Sequence, residues 1–513
     1  MSSSAAIRFF YDGEIVEITG CDPTATVLDW LREQMRKTGT KEGCAEGDCG
    51  ACTVIVAELA DTAVGTTAPA TQAVRVGDLA LRPMNACIKF LPTLDGCALL
   101  TVEDVAKIGA TGSGELHPVQ QAMVERHGSQ CGFCTPGFIM TMTATYEKHC
   151  EAGTTPTRKE LSDDLAGNLC RCTGYRPILE AGARMFELPV RRLDTKPIEA
   201  ALRSIRETGG RYEGGAAHYW SPTTVEDFAE RREIFPDARL LAGATDIGLW
   251  VNKQMRDLGD IIYIGGVEEL KRIEVGDGVL NIGAAASLED AFSALVAQWP
   301  TLDEVYRRFA SPPVRHAGTL GGNVANGSPI GDGPPVLLAL GASLVLRRGP
   351  AERIVSLDRF YLDYMKNDLQ RGEFVKQIEV PLPMPGQDVR VYKVSKRFDS
   401  DITSICAALS FVRGDDGVIT DVRFAYGGMA ATARRAAGAE AAVLGTRWTE
   451  DDLRRAQAAI NDDFTPLTDL RASAEYRKIV AANLLERFWL ETRCGQYTPL
   501  PAAQTSVYEM TRQ

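Results

Sequence analysis

Gly43-Cys44-Ala45-Glu46-Gly47-Asp48-Cys49-Gly50-Ala51-Cys52 is the stretch on which the reading of this 513-residue chain turns. Its cysteines are spaced C-x4-C-x2-C, the plant-type [2Fe–2S] arrangement, which takes a fourth thiolate from a distance. Gly43, Gly47 and Gly50 suit such a loop. Glycine reaches the unusual φ values and the close backbone approach that wrapping a cluster requires, and the loop N–H groups can then point at the sulfurs. The fourth ligand comes from Cys87 or Cys97. Cys87 is favoured because Asn85-Ala86-Cys87 leaves a polar loop and opens an apolar run. Cys97, in Gly96-Cys97-Ala98-Leu99-Leu100, also reads as a small buried thiol at a strand start. Zinc is the alternative for the trio, although zinc sites usually show C-x2-C or C-x2-C/H-x3-H spacings.

A second quartet lies downstream, Cys131-Gly132-Phe133-Cys134 with Cys170-Arg171-Cys172. Thr135-Pro136-Gly137 follows the first pair and Tyr175-Arg176-Pro177 the second, and proline is favoured in a first helical turn. Both pairs therefore read as sitting at helix N-termini, where free N–H groups and the positive dipole end favour an anion such as a thiolate-ligated cluster. Zinc on this quartet is again the alternative.

The run Gly43 to Cys52, the two later pairs, and above all Asn168-Leu169-Cys170-Arg171-Cys172-Thr173-Gly174-Tyr175 resemble the two-cluster domain of the molybdenum hydroxylases, whose members carry two [2Fe–2S] centres.

The net charge of −12 argues against a nucleic-acid or anionic-membrane surface. Eight of the 13 cysteines belong to the quartets. Cys21, Cys97, Cys150, Cys406 and Cys494 are scattered, which fits a reducing cytoplasm. Met1 to Ala6 has no basic-then-apolar signal pattern, and no run reaches the ~18 apolar residues of a membrane helix.

Taken in order, the chain reads as a multidomain α+β protein. A ferredoxin-like β-grasp domain is expected over 1–95. It has a hairpin from Ile7 to Ile18 around Asp12-Gly13, a helix from Thr26 to Met35, a strand from Thr53 to Leu59, a polar insertion near 60–76, and strands near 87–90 and 97–102. A helical [2Fe–2S]-binding domain follows over 96–186, then a linker over 187–218. An FAD-binding domain is expected over 219–386, a C-terminal α+β flavoprotein domain over 387–500, and a tail over 501–513.

Two stretches carry the flavin reading. Arg239 to Asp246 is an apolar strand running into a glycine turn, with a helix from Ile247 to Met255; such a turn presents N–H groups to a phosphate. Thr319 to Asp332 packs Gly, Asn and Ser between apolar segments, as ligand-wrapping loops do. No G-x-G-x-x-G follows a strand and no G-x4-G-K-[ST] occurs, so a Rossmann-type grip is not expected. Together the stretches resemble the FAD domain of the same family. That resemblance implies that Leu240, Leu241, Ala242, Gly243, Ala244, Thr245, Asp246 and Ile247 hold the pyrophosphate. It implies further that Phe309, Thr319, Gly322, Asn323, Ala325, Asp332, Val375 and Lys393 contact FAD, and that Tyr364 lies near a nicotinamide site. Asp246 stands where relatives often have Glu, and Arg308 where they have an aromatic.

The fused order of cluster, flavin and C-terminal parts is similar to that of the xanthine dehydrogenases within the family. The resemblance implies electrons passing from a molybdenum centre, through two [2Fe–2S] clusters, to FAD and NAD+, with no catalytic residue for purine oxidation on this chain. It also implies a large molybdopterin-containing partner subunit in a two-plus-two heterotetramer, and places the Cys131/Cys134/Cys170/Cys172 centre nearest molybdenum. The same module serving another heterocycle or an aldehyde is a second reading, and a zinc-stabilised scaffold a third.

Overall fold

A computed structural model describes residues 6–60, 73–108, 116–208, 212–213, 218–494 and 498–506. Six strands form the first sheet: β1 Ala6–Tyr11, β2 Glu14–Thr19, β3 Thr53–Leu59, β4 Val74–Val76, β5 Leu79–Asn85 and β6 Ala98–Leu100. Their order is β2-β1-β6-β3-β5-β4, with β6 parallel to β1 and antiparallel to β3. The β1–β2 hairpin closes on Asp12 and Gly13, both at positive φ, as a two-residue turn requires.

Val54 to Ala57 of β3 is an unbroken apolar run because both faces are covered. Val54 and Val56 pack with Phe9, Trp30 and Leu31. Ile55 and Ala57 pack with Phe138, Ile139 and Met142 of the helix Thr135–Ala152. Since β6 lies between β1 and β3, a domain ending at 95 would cut this sheet; the first domain extends through Leu100. The strand expected near 87–90 is instead β5. Pro83 disguises it in sequence, but Pro83 faces Ile55 on one side and lies beyond the short β4 on the other, so no ladder bond is lost. The insertion expected near 60–76 falls largely on 61–72, outside the described residues, as does part of the linker and most of the tail.

The helices Pro118–Glu125, Thr135–Ala152, Arg158–Asp164 and Arg176–Arg184 form the second domain. His117 caps the first, its Nδ1 accepting the Val119 N–H at 3.3 Å. The linker is not structureless. Lys196–Thr208 is helical and buries Ile198, Leu202 and Ile205, a helical spacing, against the first two domains.

The third domain holds a parallel sheet of Tyr219–Trp220, Ile261–Tyr263 and Arg239–Leu241, and an antiparallel five-stranded sheet with Phe374–Pro381 at its centre. The fourth has the sheet Gln387–Val394, Ile405–Arg413, Ile419–Gly427 and Arg434–Arg435, backed by Glu450–Asp463 and Ala474–Thr492. Cys406, Ala408 and Ala425 on its other face join the core of the third domain. The Pro381–Gly386 segment therefore joins two halves that share a core. No helix among the described residues is long and apolar enough to cross a membrane.

Candidate iron–sulfur and flavin sites

The first quartet gathers at one end of the β-grasp sheet. The Cys44 thiol meets those of Cys49 and Cys87, and Cys87 also meets Cys52. Cys97 is elsewhere, its Sγ 3.6 Å from Glu58 Oε1 and 3.9 Å from the Thr93 carbonyl. The Cys49 N–H points at Cys44 Sγ, 3.4 Å away. Gly47 (φ +78°) and Gly50 (φ +69°) turn the loop, and a Cβ at Gly43 would stand 2.8 Å from Cys49 Sγ. Contacts with neighbouring thiols, then burial, push the Cys87 thiol far up, while Cys49 and Cys87 hold Cys44 far down. Four thiolates cannot coexist this closely without compensating positive charge, which a pair of ferric ions supplies.

In the second quartet Cys131 pairs with Cys172 and Cys134 with Cys170. Cys134 immediately precedes the helix Thr135–Ala152, as the sequence suggested. The N–H of Phe133 reaches Cys131, and those of Cys172 and Thr173 reach Cys170, favouring the thiolates. Burial, then the neighbouring Cys170, pushes Cys134 up to about 12. Cys131 and Cys172 are exposed. The two thiol pairs of this quartet suit a bridged pair of irons.

The two quartets are joined by backbone. The Leu169 N–H donates to the Cys49 carbonyl at 3.0 Å. Buried Asn168 donates to the Gly50 carbonyl at 3.0 Å and accepts from Thr141 Oγ1 at 2.7 Å. A Cβ at Gly137 would stand 2.1 Å from the Gly50 carbonyl oxygen.

On its other side the first loop meets the third domain. Asn252 Nδ2 donates to the Cys87 carbonyl at 2.6 Å and to that of Ala45 at 3.2 Å, and Lys253 Nζ to that of Cys44. Gly248 lies against Ile88. These residues belong to or follow the helix Ile247–Asn252, shorter than the expected run to Met255.

The start of that helix lines a cleft of ≈ 570 Å³, within the usual range for a cofactor site. Of the residues expected at FAD, Leu240, Ala242 to Ile247, Thr319, Gly322, Asn323, Ala325 and Val375 line it. The turn is tight: Ala244 has φ +61°, and a Cβ at Gly243 would meet the Ala317 carbonyl oxygen at 1.7 Å. Gly243 thus serves packing against Ala317 rather than only approach to a phosphate. Asn323 Oδ1 and Arg232 Nε, both belonging to lining residues, are buried without a partner. An acceptor and a donor left open in one cleft fit a ligand that supplies both.

Leu241, Phe309, Asp332 and Lys393 lie outside this lining, within the core. Asp332 is engaged on both oxygens, by Lys393 Nζ at 2.6 Å and Thr403 Oγ1 at 2.5 Å. Arg308, 1% exposed, donates to the carbonyls of Lys393 and Phe398, and its guanidinium lies 4.6 Å from the Phe398 ring centroid. It straps the 393–398 segment to the third domain; beyond it, Ser400 Oγ donates to the Ala166 carbonyl. Tyr364 is 64% exposed, beside Met365, which lines the cleft.

Four family models match in sequence order. They are a 2Fe-2S iron-sulfur cluster binding domain over 9–87, a [2Fe-2S] binding domain over 101–183, the FAD binding domain in molybdopterin dehydrogenase over 211–383, and a CO dehydrogenase flavoprotein C-terminal domain over 390–492.

The chain belongs to the molybdenum hydroxylase family.

It is 30% identical to xanthine dehydrogenase from Emericella nidulans, covering 94% of this chain and 38% of that protein. It is 31% identical to xanthine dehydrogenase from Drosophila subobscura, covering 84% and 35%. A carbon monoxide dehydrogenase chain from Hydrogenophaga pseudoflava, solved without the Mo-pyranopterin moiety, superimposes with TM-score 0.50 at 29% identity, covering 52% of this chain and 94% of that one. The chain spans little more than a third of the length of these xanthine dehydrogenases. Within that family it corresponds to the 2Fe-2S/FAD module, with two [2Fe–2S] domains and an FAD-binding domain. Sequence reasoning missed Asn252 and Lys253, whose roles depend on a docking that no local pattern announces, and Arg232, which lies seven residues before the strand that drew attention.

Proposed function

We propose that this chain is the electron-transfer part of a xanthine dehydrogenase, serving a molybdopterin-containing partner that oxidises hypoxanthine and xanthine, and delivering the electrons to NAD+. One observation carries the reading: a line of contacts from the exposed thiols Cys131 and Cys172, past Cys170 and Leu169 to Cys49, through Cys44 to Cys87, and on to Asn252 of the helix whose start lines the flavin cleft. The xanthine dehydrogenase relatives, which align over most of the chain, support the choice of substrate.

When bound, the clusters supply one-electron carriers and FAD the conversion to a hydride donor. The chain's residues hold and insulate them. Cys44, Cys49, Cys52 and Cys87 hold the first cluster; Cys131, Cys134, Cys170 and Cys172 hold the second, which faces the partner. The turn Leu240 to Ile247, with Thr319, Gly322, Asn323, Ala325 and Val375, seats FAD, and Tyr364 offers an exposed ring to nicotinamide. Asp332, Lys393 and Phe309 act from behind the cleft wall. A two-plus-two assembly in the cytoplasm completes the proposal; the cysteines scattered outside the quartets support that compartment.

Purification with the co-expressed molybdenum chain tests it: hypoxanthine must reduce NAD+, and the protein must show iron–sulfur and flavin absorption. An assembly inert to purines but active on an aldehyde would favour the reading suggested by aldehyde oxidase 4 of Cavia porcellus, 28% identical over 99% of this chain.

A further inference from the structure

Arg232 ends the side chains of the helix Val225–Ile234 in an unusual way. It lines the cleft, yet among the described residues its side chain donates to one acceptor, from Nη1 to the Ala238 carbonyl at 2.9 Å. Its Nε is buried and has no acceptor. The nearby acid, Asp237, is already committed to Arg371 at 2.6 Å. Phe228 and Phe374, 4.2 Å apart between ring centroids, line the same end of the cleft with Ile264. Burial also pulls the guanidinium down from its ordinary range. A half-satisfied cation in an aromatic pocket is costly unless a ligand completes it.

We propose that Arg232 donates to the adenosine half of FAD, and that this contact makes the site prefer FAD over a flavin lacking that half. The argument rests on the FAD reading above and proceeds by position. Arg232 is anchored at Ala238, before the strand Arg239–Leu241, whereas the phosphate turn begins at Gly243, after it. The extended strand Arg239–Leu241 between them rises about 10 Å, so Arg232, anchored at its start, meets the cleft away from the turn at Gly243. It serves one of the two ring systems. The redox-active ring belongs near the helix Ile247–Asn252, which touches the first cluster loop at Ile88 and Cys87. That leaves the adenosine to Arg232: adenine offers ring-nitrogen acceptors to Nε and a flat face to the two phenylalanines. Asn323 Oδ1, the other open group, is free to take a donor elsewhere on the ligand.

The test titrates FAD and FMN into the deflavinated full chain, wild type and Arg232→Ala, following flavin fluorescence. FMN lacks the adenylate half. Wild type should prefer FAD, and Arg232→Ala should weaken FAD about 10- to 100-fold, the range of a charge-assisted hydrogen bond, while FMN affinity stays within twofold. Unchanged FAD affinity overturns the proposal, and so does equal weakening of both flavins, which would place Arg232 at the isoalloxazine. Should Arg232→Ala bind neither, Arg232→Lys decides by the same ratio, since it keeps the stem and the charge but lacks the Nε donor: a reduced FAD preference with FMN binding kept supports the proposal, and a wild-type preference or loss of both flavins overturns it. Wild-type protein that takes up no FAD would sink the cofactor reading itself, a separate outcome.

Discussion

The backbone N–H of Leu169 donates to the carbonyl of Cys49 at 3.0 Å. Each residue sits within or beside a different cysteine quartet, so the two candidate cluster sites are stitched main chain to main chain. Asn168 adds side-chain bonds to both sides of the seam. Several consequences of this arrangement can be measured.

Replacing Cys134 with Ser removes one ligand of the second quartet. Iron should fall from about four to about two atoms per chain, one of two paramagnetic signals should vanish, and NADH should still reduce the flavin. Cys87→Ser should remove the other signal, whereas Cys97→Ser, beside Glu58, should leave both. Retention of two signals in Cys87→Ser would rule out that ligand set.

Gly137→Ala places a methyl group 2.1 Å from the Gly50 carbonyl oxygen. Backbone cannot yield as a side chain does, so the seam must open. Overpacking of this kind costs about 1–3 kcal/mol, read as a lower denaturant midpoint. Gly153→Ala, with open space around it but a left-handed φ, should cost about 1 kcal/mol.

Asp332→Asn leaves the Lys393 ammonium buried without its carboxylate. Breaking such a pair costs about 3–5 kcal/mol. Asp332→Asn combined with Lys393→Met should recover much of the loss, because the stranded charge is gone. A double variant as unstable as the single one would show that Thr403 and packing, not the ion pair, hold this region.

His117 is fully buried against Tyr146, and burial holds its imidazole down at about 4. The unfolded chain, titrating near 6.5, takes up the proton first. Its contribution to stability is therefore complete above about pH 6.5 and fades as pH falls towards 4, by about 3 kcal/mol in all. Urea midpoints at pH 7 and pH 4.5 should differ by less in His117→Asn, which keeps a capping oxygen but does not titrate there. Equal pH dependence in both proteins would remove His117 from the account.

What the sequence made legible was local. The cysteine spacings, the Asp12-Gly13 turn and the two glycine-bearing stretches each carry their physics within about a dozen residues. What stayed hidden was long-range. The apolar spacing of Ile198, Leu202 and Ile205 was present in the linker, but Pro197, Arg203 and Arg206 around it masked the period. The strand expected near 97–102 was legible as β6, but its neighbours in the sheet, β1 on one side and β3 on the other, were not. The core shows the same limit. Asp332 and Lys393 look in sequence like two separate polar residues, and 61 positions apart they satisfy each other.

Asn252 and Lys253 cap the carbonyls of Cys44, Ala45 and Cys87. Those bonds tie the loop's backbone to the third domain while Cys44 and Cys49 stay half-buried on its other side, so a change at Asn252 or Lys253 is transmitted directly to the geometry of the first quartet.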